Sequence, residues 1–314
     1  MSKKPDWQRP ATGLWRATVI LPDLDTGAAA SDAFGDLTAV SAFEESPDGA
    51  WRVEGFATDE PDRAALEMRL ALTFAPLGIT PPEPVWEKLP PTDWLRDNQE
   101  SFQPLEVGRY FIHGSHFEDM VPPGRIGLLI DAATAFGTGE HATTRGCLLA
   151  LDAIVQSGRP ARILDMGTGT GVLGMAAAKS WRRRVIARDI DPESVRVTRH
   201  NARANGVAPL LEVYKSNGYR ERGVAAHGPY DLIFANILAG PLERMAADLG
   251  HHLASGGIAV LSGLLARQAN GVLAAHRQQH VRLLQKIIID GWATLVIARA
   301  RPAHFRSIRK RATS

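Results

Sequence analysis

The sequence has few of the features that would identify a class of protein at once. Cys147 is the only cysteine among 314 residues, so no disulfide can form within the chain, and we expect a reducing, cytoplasmic location. No apolar run approaches the ~18 residues that a membrane helix needs, and residues 1–10 are too polar for a signal peptide. The sequence therefore predicts a protein without a membrane partner.

A strong excess of charge of one sign is also missing. The chain has 36 Lys and Arg residues against 34 Asp and Glu residues, a net charge of +2, which is too weak to make nucleic acid the default partner. Basic residues do collect near both ends, in "MSKKPDWQR" and "HFRSIRKRATS". We interpret these segments as solvated chain ends, with weak contact to an RNA-containing particle as the alternative.

The first part of the chain predicts a small α+β domain. Its strand-like runs lie at 14–21, 40–45 and 51–58, with a short helix between the first two. A longer helix follows, with Leu66, Leu70 and Phe74 at a spacing of four. This order favours a ferredoxin-like domain of the split βαβ type over 1–80. The proline-rich stretch 79–108 is typical of a connector, so we place a linker at 81–116 and a second domain at 117–314.

Strand-like and helical stretches alternate in that second domain, which is typical of a doubly wound α/β fold with a mostly parallel sheet. The strand-like runs are 161–166, 184–189, 210–215, 230–236 and 257–262, and the helical stretches lie near 171–180, 192–205, 239–253 and 266–278. Two final runs, "VRLLQKIIID" and "WATLVIARA", meet at Gly291 and predict an antiparallel pair. The sequence therefore predicts a seven-stranded, Rossmann-like sheet that is mixed at one edge.

The stretch "LDMGTGTGVLG" predicts a ligand-binding loop. Gly167, Gly169 and Gly171 stand between a hydrophobic strand and a helix, where the backbone can approach a ligand closely. Gly169, Gly171 and Gly174 also satisfy G-x-G-x-x-G, so an NAD(P)-dependent oxidoreductase is an alternative.

Three polar residues favour S-adenosylmethionine over a dinucleotide. Asp165 precedes the loop, where its charge would repel a pyrophosphate but attract an ammonium or sulfonium group. Asp189 ends the next strand, 22 residues after Gly167, and is expected to accept the ribose hydroxyls. Asn236 ends the fourth parallel strand, at the sheet edge where ligands of such folds react, and we assign it a catalytic, orienting role as well as cofactor contact.

A second glycine loop, "AFGTGEHATT" at 135–144, precedes a helix. Gly137 and Gly139 permit a tight loop over the cofactor, Phe136 is expected to close it against water, and Thr144 is expected to bond the cofactor's methionine end. The alternative is that Thr143 and Thr144 only cap the helix.

Other reactive residues have simpler interpretations. His113 and His116 lie near Glu118 and Asp119, but no second ligand cluster has recognisable spacing, so we expect no metal site. Cys147 is expected to be a buried small hydrophobe, and the histidines at 251–252 are expected to suit a helix end.

Four motifs together resemble the PrmA-type methyltransferases, which modify large-subunit ribosomal protein eleven. They are "AFGTGEHATT", "ILDMGTGTGVLGMAAAK", "DIDPESVRVTRHNARANGV" and "FANILAGPL". The resemblance implies that Thr144, Gly167, Asp189 and Asn236 fall on the family's cofactor-binding positions. It also implies that the N-terminal domain recognises the ribosomal protein, and that lysine side chains and the α-amine are methylated.

Several alternatives to that function stay open. One alternative is a methyltransferase whose target is another protein lysine or a small amine. Another is a binding module that has the same fold but no catalytic activity. We expect a monomer. Under the alternative in which the basic chain ends contact an RNA-containing particle, the contact would be a weak one with ribosomal RNA.

Overall fold

A computed structural model of the protein describes residues 14–35, 37, 39–44, 50–57, 59–89, 104–117, 119–130 and 142–300. The described residues form two compact units. One unit contains those up to Pro104, the other contains those from Ala142 onward, and the segment 105–130 is divided between them. No helix among the described residues is both long enough and apolar enough to cross a membrane.

The N-terminal unit contains a four-stranded antiparallel sheet with two helices. Its elements are β1 Leu14–Leu21, α1 Leu24–Ala33, β2 Ala39–Glu44, β3 Trp51–Ala57, α2 Arg63–Phe74 and β4 Val85–Leu89. The strand order is β2-β3-β1-β4, the order of a split βαβ unit. Leu66, Leu70 and Phe74 are buried on one face of α2, as their spacing predicts, and pack in one core with Val19 and Val53.

The connector predicted at 79–108 is wrong for part of its length. Val85–Leu89 forms β4, which pairs antiparallel with β1 from Thr18↔Val85 to Leu14↔Leu89. Prolines flank this strand in the sequence, at 81, 82 and 84 before it and at 90 and 91 after it, and none lies within it to interrupt its hydrogen bonds. A short three-stranded sheet then follows in the order β5-β6-β7, formed by Leu105–Val107, Tyr110–His113 and Ile126–Leu129.

The C-terminal unit is a seven-stranded sheet with helices. Its strands are β8 Ile163–Met166, β9 Val185–Asp189, β10 Leu211–Lys215, β11 Tyr230–Asn236, β12 Leu253–Leu265, β13 Val281–Ile289 and β14 Trp292–Arg299. Its helices are α3 Ala142–Ser157, α4 Val172–Trp181, α5 Pro192–Ala204, α6 Arg222–Ala225, α7 Ala239–Arg244, α8 Ala246–His252 and α9 Ala269–Arg277.

The strand order of this sheet is β10-β9-β8-β11-β12-β14-β13. The first five strands pair in parallel, whereas β14 pairs antiparallel with both β12 and β13. This confirms the predicted mixed sheet. The strand order reverses direction between β8 and β11. In open α/β sheets, ligands bind outside the carboxyl ends of the strands at such a point.

Candidate active site

Residues that the sequence predicts for the site lie at the ends of three adjacent strands. The glycine loop follows β8, Asp189 ends β9 on one side of it, and Asn236 ends β11 on the other. The strands are parallel, so these residues meet at the same edge of the sheet.

The glycine loop has a backbone conformation that requires glycine. Gly167, Gly169 and Gly171 have φ values of 72°, 53° and 86°. A β-carbon at Gly167 would lie 2.3 Å from Cγ2 of Ile237, and one at Gly171 would lie 2.8 Å from Cγ2 of Thr198. The glycines therefore provide both the left-handed backbone and room for neighbouring side chains.

The amide groups of this loop are largely satisfied within the protein. The amides of Gly167 and Thr168 donate to the Arg188 carbonyl at 2.8 and 3.0 Å, and that of Gly171 donates to the Thr168 carbonyl at 2.8 Å. The Gly169 amide donates to Oδ2 of Asp189 at 2.8 Å. A pyrophosphate needs such amides free, so this loop is poorly suited to a dinucleotide.

Asp165 supports the glycine loop. It is 1% exposed, and its Oδ2 accepts from the Thr168 hydroxyl at 2.8 Å and from the Gly174 amide at 2.9 Å. The carboxylate therefore lies at the first turn of α4, where a bound phosphate would otherwise sit. Burial raises the pKa of Asp165 to about 6, opposed by these two hydrogen bonds. Direct contact between Asp165 and a cofactor stays a prediction.

Asp189 also has a structural role. Besides binding the Gly169 amide, it accepts from the Asp191 amide at 3.0 Å through Oδ1. Burial raises the pKa of Asp189, while these backbone hydrogen bonds act in the opposite direction. Each carboxylate oxygen has a second lone pair, so the predicted contact with ribose hydroxyls is compatible with this geometry and stays a prediction.

Two predicted site residues have buried oxygens that lack a hydrogen-bond partner among the described residues. These are Oγ1 of Thr144 and Oδ1 of Asn236. A buried polar atom left unpaired costs about 1–3 kcal/mol, so a ligand that supplies a donor or acceptor here would be stabilised. The N–H groups of an amino-acid ammonium or of an incoming amine are suitable donors to the side-chain oxygen of Asn236.

The start of α3 lies beside the same sheet edge. Ser262, the register partner of Asn236, donates to the Thr143 carbonyl at 3.4 Å and lies 2.8 Å from the Thr294 hydroxyl. Thr144 follows directly and is fully buried. Phe136, Gly137 and Gly139 lie outside the described residues, so their role as a lid stays a prediction.

Comparison with known proteins identifies the family. The family model described as ribosomal protein L11 methyltransferase (PrmA) matches residues 23–300. The ribosomal protein L11 methyltransferase of Bradyrhizobium diazoefficiens is 44% identical over 259 residues, which are 82% of this chain and 87% of that protein. That of Rhodopseudomonas palustris is 40% identical over 296 residues, 92% of this chain and 98% of that protein.

This chain belongs to the PrmA family.

The structural comparison agrees with this assignment. The crystal structure of ribosomal protein L11 methylase from Lactobacillus delbrueckii subsp. bulgaricus has a TM-score of 0.57 and 26% identity, covering 64% of this chain and 100% of that one. Family membership confirms the predicted class of enzyme, a methyltransferase, and its cofactor, S-adenosylmethionine.

Two residues that were not predicted from the sequence hold the glycine loop of this PrmA-family protein. Thr198 donates to the Gly169 carbonyl at 2.7 Å, and Asn201 donates to the Thr170 carbonyl at 2.9 Å. Both are fully buried on α5, which Asp191 caps by accepting from the Glu193 and Ser194 amides. Their signal in the sequence is two polar residues three apart on the apolar face of an amphipathic helix.

The remaining reactive residues have structural roles. Cys147 is fully buried, and burial raises the pKa of its thiol to about 12, which confirms a buried small residue. Nδ1 of His252 donates to the Asp248 carbonyl at 2.8 Å in the last turn of α8, as predicted for a histidine at a helix end. Nδ1 of His113 bonds the adjacent Gly114 carbonyl at 3.1 Å. Within the described part of the chain, no group of three or more His, Cys, Asp or Glu residues could hold a metal ion.

Proposed function

We propose that this protein transfers methyl groups from S-adenosylmethionine to amine nitrogens of ribosomal protein L11, on lysine side chains and the N-terminal amine. Bound S-adenosylmethionine would supply an electrophilic methyl carbon on a positive sulfur. The lone pair of a neutral amine bonds to that carbon as the carbon–sulfur bond breaks, so the sulfur leaves as the neutral thioether of S-adenosylhomocysteine. The observation that carries the proposal is the unpartnered Oδ1 of Asn236 at the carboxyl end of β11, beside the glycine loop. We further propose that the protein acts as a monomer in the cytoplasm.

Asn236 orients the nucleophile. Its side-chain oxygen accepts a hydrogen bond from one N–H of the incoming amine. This contact fixes the orientation of the amine, with the nitrogen lone pair directed away from Asn236. The backbone at this position is tightly held, because the Ile237 amide donates to the Ser262 carbonyl at 3.1 Å and a β-carbon at Gly263 would lie 2.4 Å from the Ile237 carbonyl oxygen. A rigid support of this kind is what alignment of two reactants requires.

Deprotonation of the amine needs no dedicated base. A lysine with an ordinary pKa near 10.4 costs about 4–5 kcal/mol to deprotonate at pH 7. Removal of the amine from water disfavours its charged form, and the positive sulfur nearby acts in the same direction. Asn236 has no charge of its own, so its contact also suits the neutral amine.

The chain's own residues hold the cofactor at the three sites already described. Gly167, Gly169 and Gly171 allow its close approach, Asp189 accepts the ribose hydroxyls, and Thr144 bonds the methionine end. Asp165 keeps the loop in shape and contributes negative charge beside the ammonium and sulfonium groups.

Substitution of Asn236 tests this assignment. We expect Asn236→Ala to bind S-adenosylhomocysteine with nearly normal affinity in calorimetry, while methyl transfer to purified ribosomal protein L11, read by mass spectrometry, falls on the order of 10²-fold. Asn270→Ala, at an exposed position of α9, is the matched control and is expected to retain both. Unchanged transfer by Asn236→Ala would contradict the role assigned here.

A second experiment separates the substrate classes. Purified protein and isotopically labelled S-adenosylmethionine are added to lysate from cells that lack this gene. Label on ribosomal protein L11 supports the proposal, whereas label on another protein would show a different target for the same chemistry. Label only in the small-molecule fraction would contradict a protein substrate.

A further inference from the structure

We infer that the edge of the large sheet opposite to Asn236 binds the phosphate backbone of RNA. Five exposed arginines lie in the turns that precede the amino ends of β8 and β9: Arg159, Arg162, Arg182, Arg183 and Arg184. We call them the arginine cluster. A cleft of about 670 Å³ lies at the same edge, beside the amino ends of β11, β12 and β13, and we call it the amino-edge cleft.

Direct contacts make the arginine cluster continuous. The Trp181 indole donates to the Gly158 carbonyl at 3.0 Å, which ties the turn containing Arg182–Arg184 to the turn containing Arg159. Nη1 of Arg162 in turn donates at 3.2 Å to the carbonyl of Gly228, a residue that lines the amino-edge cleft. The positive surface therefore runs from the arginine cluster into the cleft.

The amino-edge cleft has the groups that recognise anions and bases. His251, His252, His280 and Arg299 line it, and none of the described residues that line it has a carboxylate side chain. Nη1 of Arg299 is fixed by the carbonyls of Gly250 and Leu253 at 2.8 and 2.7 Å. Imidazole rings and guanidinium planes stack on unpaired RNA bases, and arginine binds phosphate with two parallel hydrogen bonds.

His280 has a strained backbone at the cleft. Its φ of 58° lies in the left-handed region, which costs a side-chain-bearing residue about 1–2 kcal/mol. Its amide donates to the Arg277 carbonyl and its carbonyl accepts from the Ala300 amide, both at 3.1 Å, so the surrounding chain holds this conformation. Strained residues held by their neighbours occur frequently at binding sites.

The carboxylates near the arginine cluster are already engaged. Oδ2 of Asp231 accepts from the amides of Ala161 and Arg162 at 2.9 and 3.0 Å. Glu212 lies 3.3 Å from Arg188, 3.9 Å from Arg184 and 3.7 Å from His227. Among the described residues, Arg159, Arg182 and Arg183 have no carboxylate partner.

The length of this surface favours a polyanion over a single phosphate. From β9 to β13 the sheet crosses five strand spacings, on the order of 24 Å at about 4.8 Å each. An extended backbone contacts such a row at several phosphates, and among the described residues the cationic side chains of the arginine cluster and the amino-edge cleft are all arginines. An acidic protein surface is the competing partner, but it would leave the stacking capacity of the imidazoles unused.

RNA binding by the full chain tests the inference directly. We would measure fluorescence anisotropy of a labelled single-stranded RNA of about 20 nucleotides over ~50–200 mM salt. The cluster variant is Arg159→Gln with Arg183→Gln, and the cleft variant is His251→Gln with His280→Asn, since Asn tolerates a left-handed backbone. The control is Arg267→Gln with Lys286→Gln, which removes the same charge away from the amino edge.

We expect the cluster variant to bind RNA about tenfold more weakly and to show a salt dependence shallower by about 1.4, since each lost contact with a single strand contributes about 0.7. The cleft variant is expected to lose affinity with a smaller change in the slope, and the control to match the parent protein. Three results would overturn the inference: no RNA binding at low salt, equal losses in cluster variant and control, or tighter binding of polyglutamate than of RNA. The readout is RNA affinity, so its failure leaves the methyl-transfer proposal unaffected.

Discussion

Gly167→Ala tests whether the glycine loop owes its shape to close packing or only to backbone freedom. With φ at 72°, an alanine pays about 1–2 kcal/mol for the left-handed conformation. Its β-carbon would also lie 2.3 Å from Cγ2 of Ile237, and overpacking of this kind adds about 1–3 kcal/mol. The backbone of Ile237 has little freedom to shift, because its amide donates to the Ser262 carbonyl at 3.1 Å and its carbonyl packs against the backbone of Gly263, where an added β-carbon would lie only 2.4 Å from the carbonyl oxygen. We therefore expect a loss of about 2–5 kcal/mol in the free energy of unfolding.

Gly206→Ala is the matched control for this prediction. Its φ of 66° is similar, but no atom of the described residues lies within 4 Å of the added β-carbon, so we expect only about 1–2 kcal/mol of loss. Urea denaturation measures both values, and S-adenosylhomocysteine titration measures the effect on the site. Addition of Ile237→Ala to Gly167→Ala should show a favourable coupling of about 1–3 kcal/mol in a double-mutant cycle. Equal losses for the two alanine variants, or an absence of coupling, would refute the packing argument.

Two further predictions concern pH. Burial raises the pKa of Asp165 to about 6 from 3.8, so the folded state binds this proton more tightly than the unfolded state. As the pH rises from about 3.8 to about 6, the unfolding free energy of the parent protein should therefore fall relative to that of Asp165→Asn, by about 3 kcal/mol in total. A difference between the two proteins that stays constant with pH would exclude this explanation. The pKa of His276 is lowered by burial, its Nδ1 bonds the Val272 carbonyl at 2.8 Å, and its Nε2 has no partner among the described residues. The free energy of unfolding should therefore be highest above about pH 6.5, where His276 is neutral, and should decrease as the pH falls and the imidazole becomes protonated. Urea denaturation at a series of pH values measures this decrease, which His276→Leu should not show.

The sequence was sufficient where a single local pattern determines the outcome. The spacing of Leu66, Leu70 and Phe74 predicts a buried helix face, and the structure buries all three. Gly291 between two strand-like runs predicts a tight turn and an antiparallel pair, and the structure confirms the pairing of β13 with β14, with Gly291 at a φ of 77°. Alternating strands and helices likewise predict the parallel part of the sheet, because each crossover helix returns the chain to the same edge.

The prediction failed where a pattern has no local signature. Val85–Leu89 follows several prolines and is largely exposed, so its composition is typical of a connector. It is nevertheless a strand, because β1 offers an unpaired edge far away in the sequence. The roles of Thr198 and Asn201 were hidden for a similar reason, since the carbonyls that they bond lie 29 and 31 residues earlier in the chain.

The sequence alone therefore determined the class of chemistry, through the types of residue that it places at strand ends. Asp165 near the end of β8, Asp189 at the end of β9 and Asn236 at the end of β11 together favoured S-adenosylmethionine over a dinucleotide, which the glycine motif alone leaves as an alternative. Only the tertiary structure decided how these groups are used. It showed that amides of the loop already donate to the Arg188 carbonyl and the Asp189 carboxylate, and that the carboxylate of Asp165 lies at the first turn of α4. It also showed that Oγ1 of Thr144 and Oδ1 of Asn236 lack partners among the described residues. Hydrogen bonding and burial depend on which strands become neighbours, and that is a property of the folded sheet rather than of any one segment.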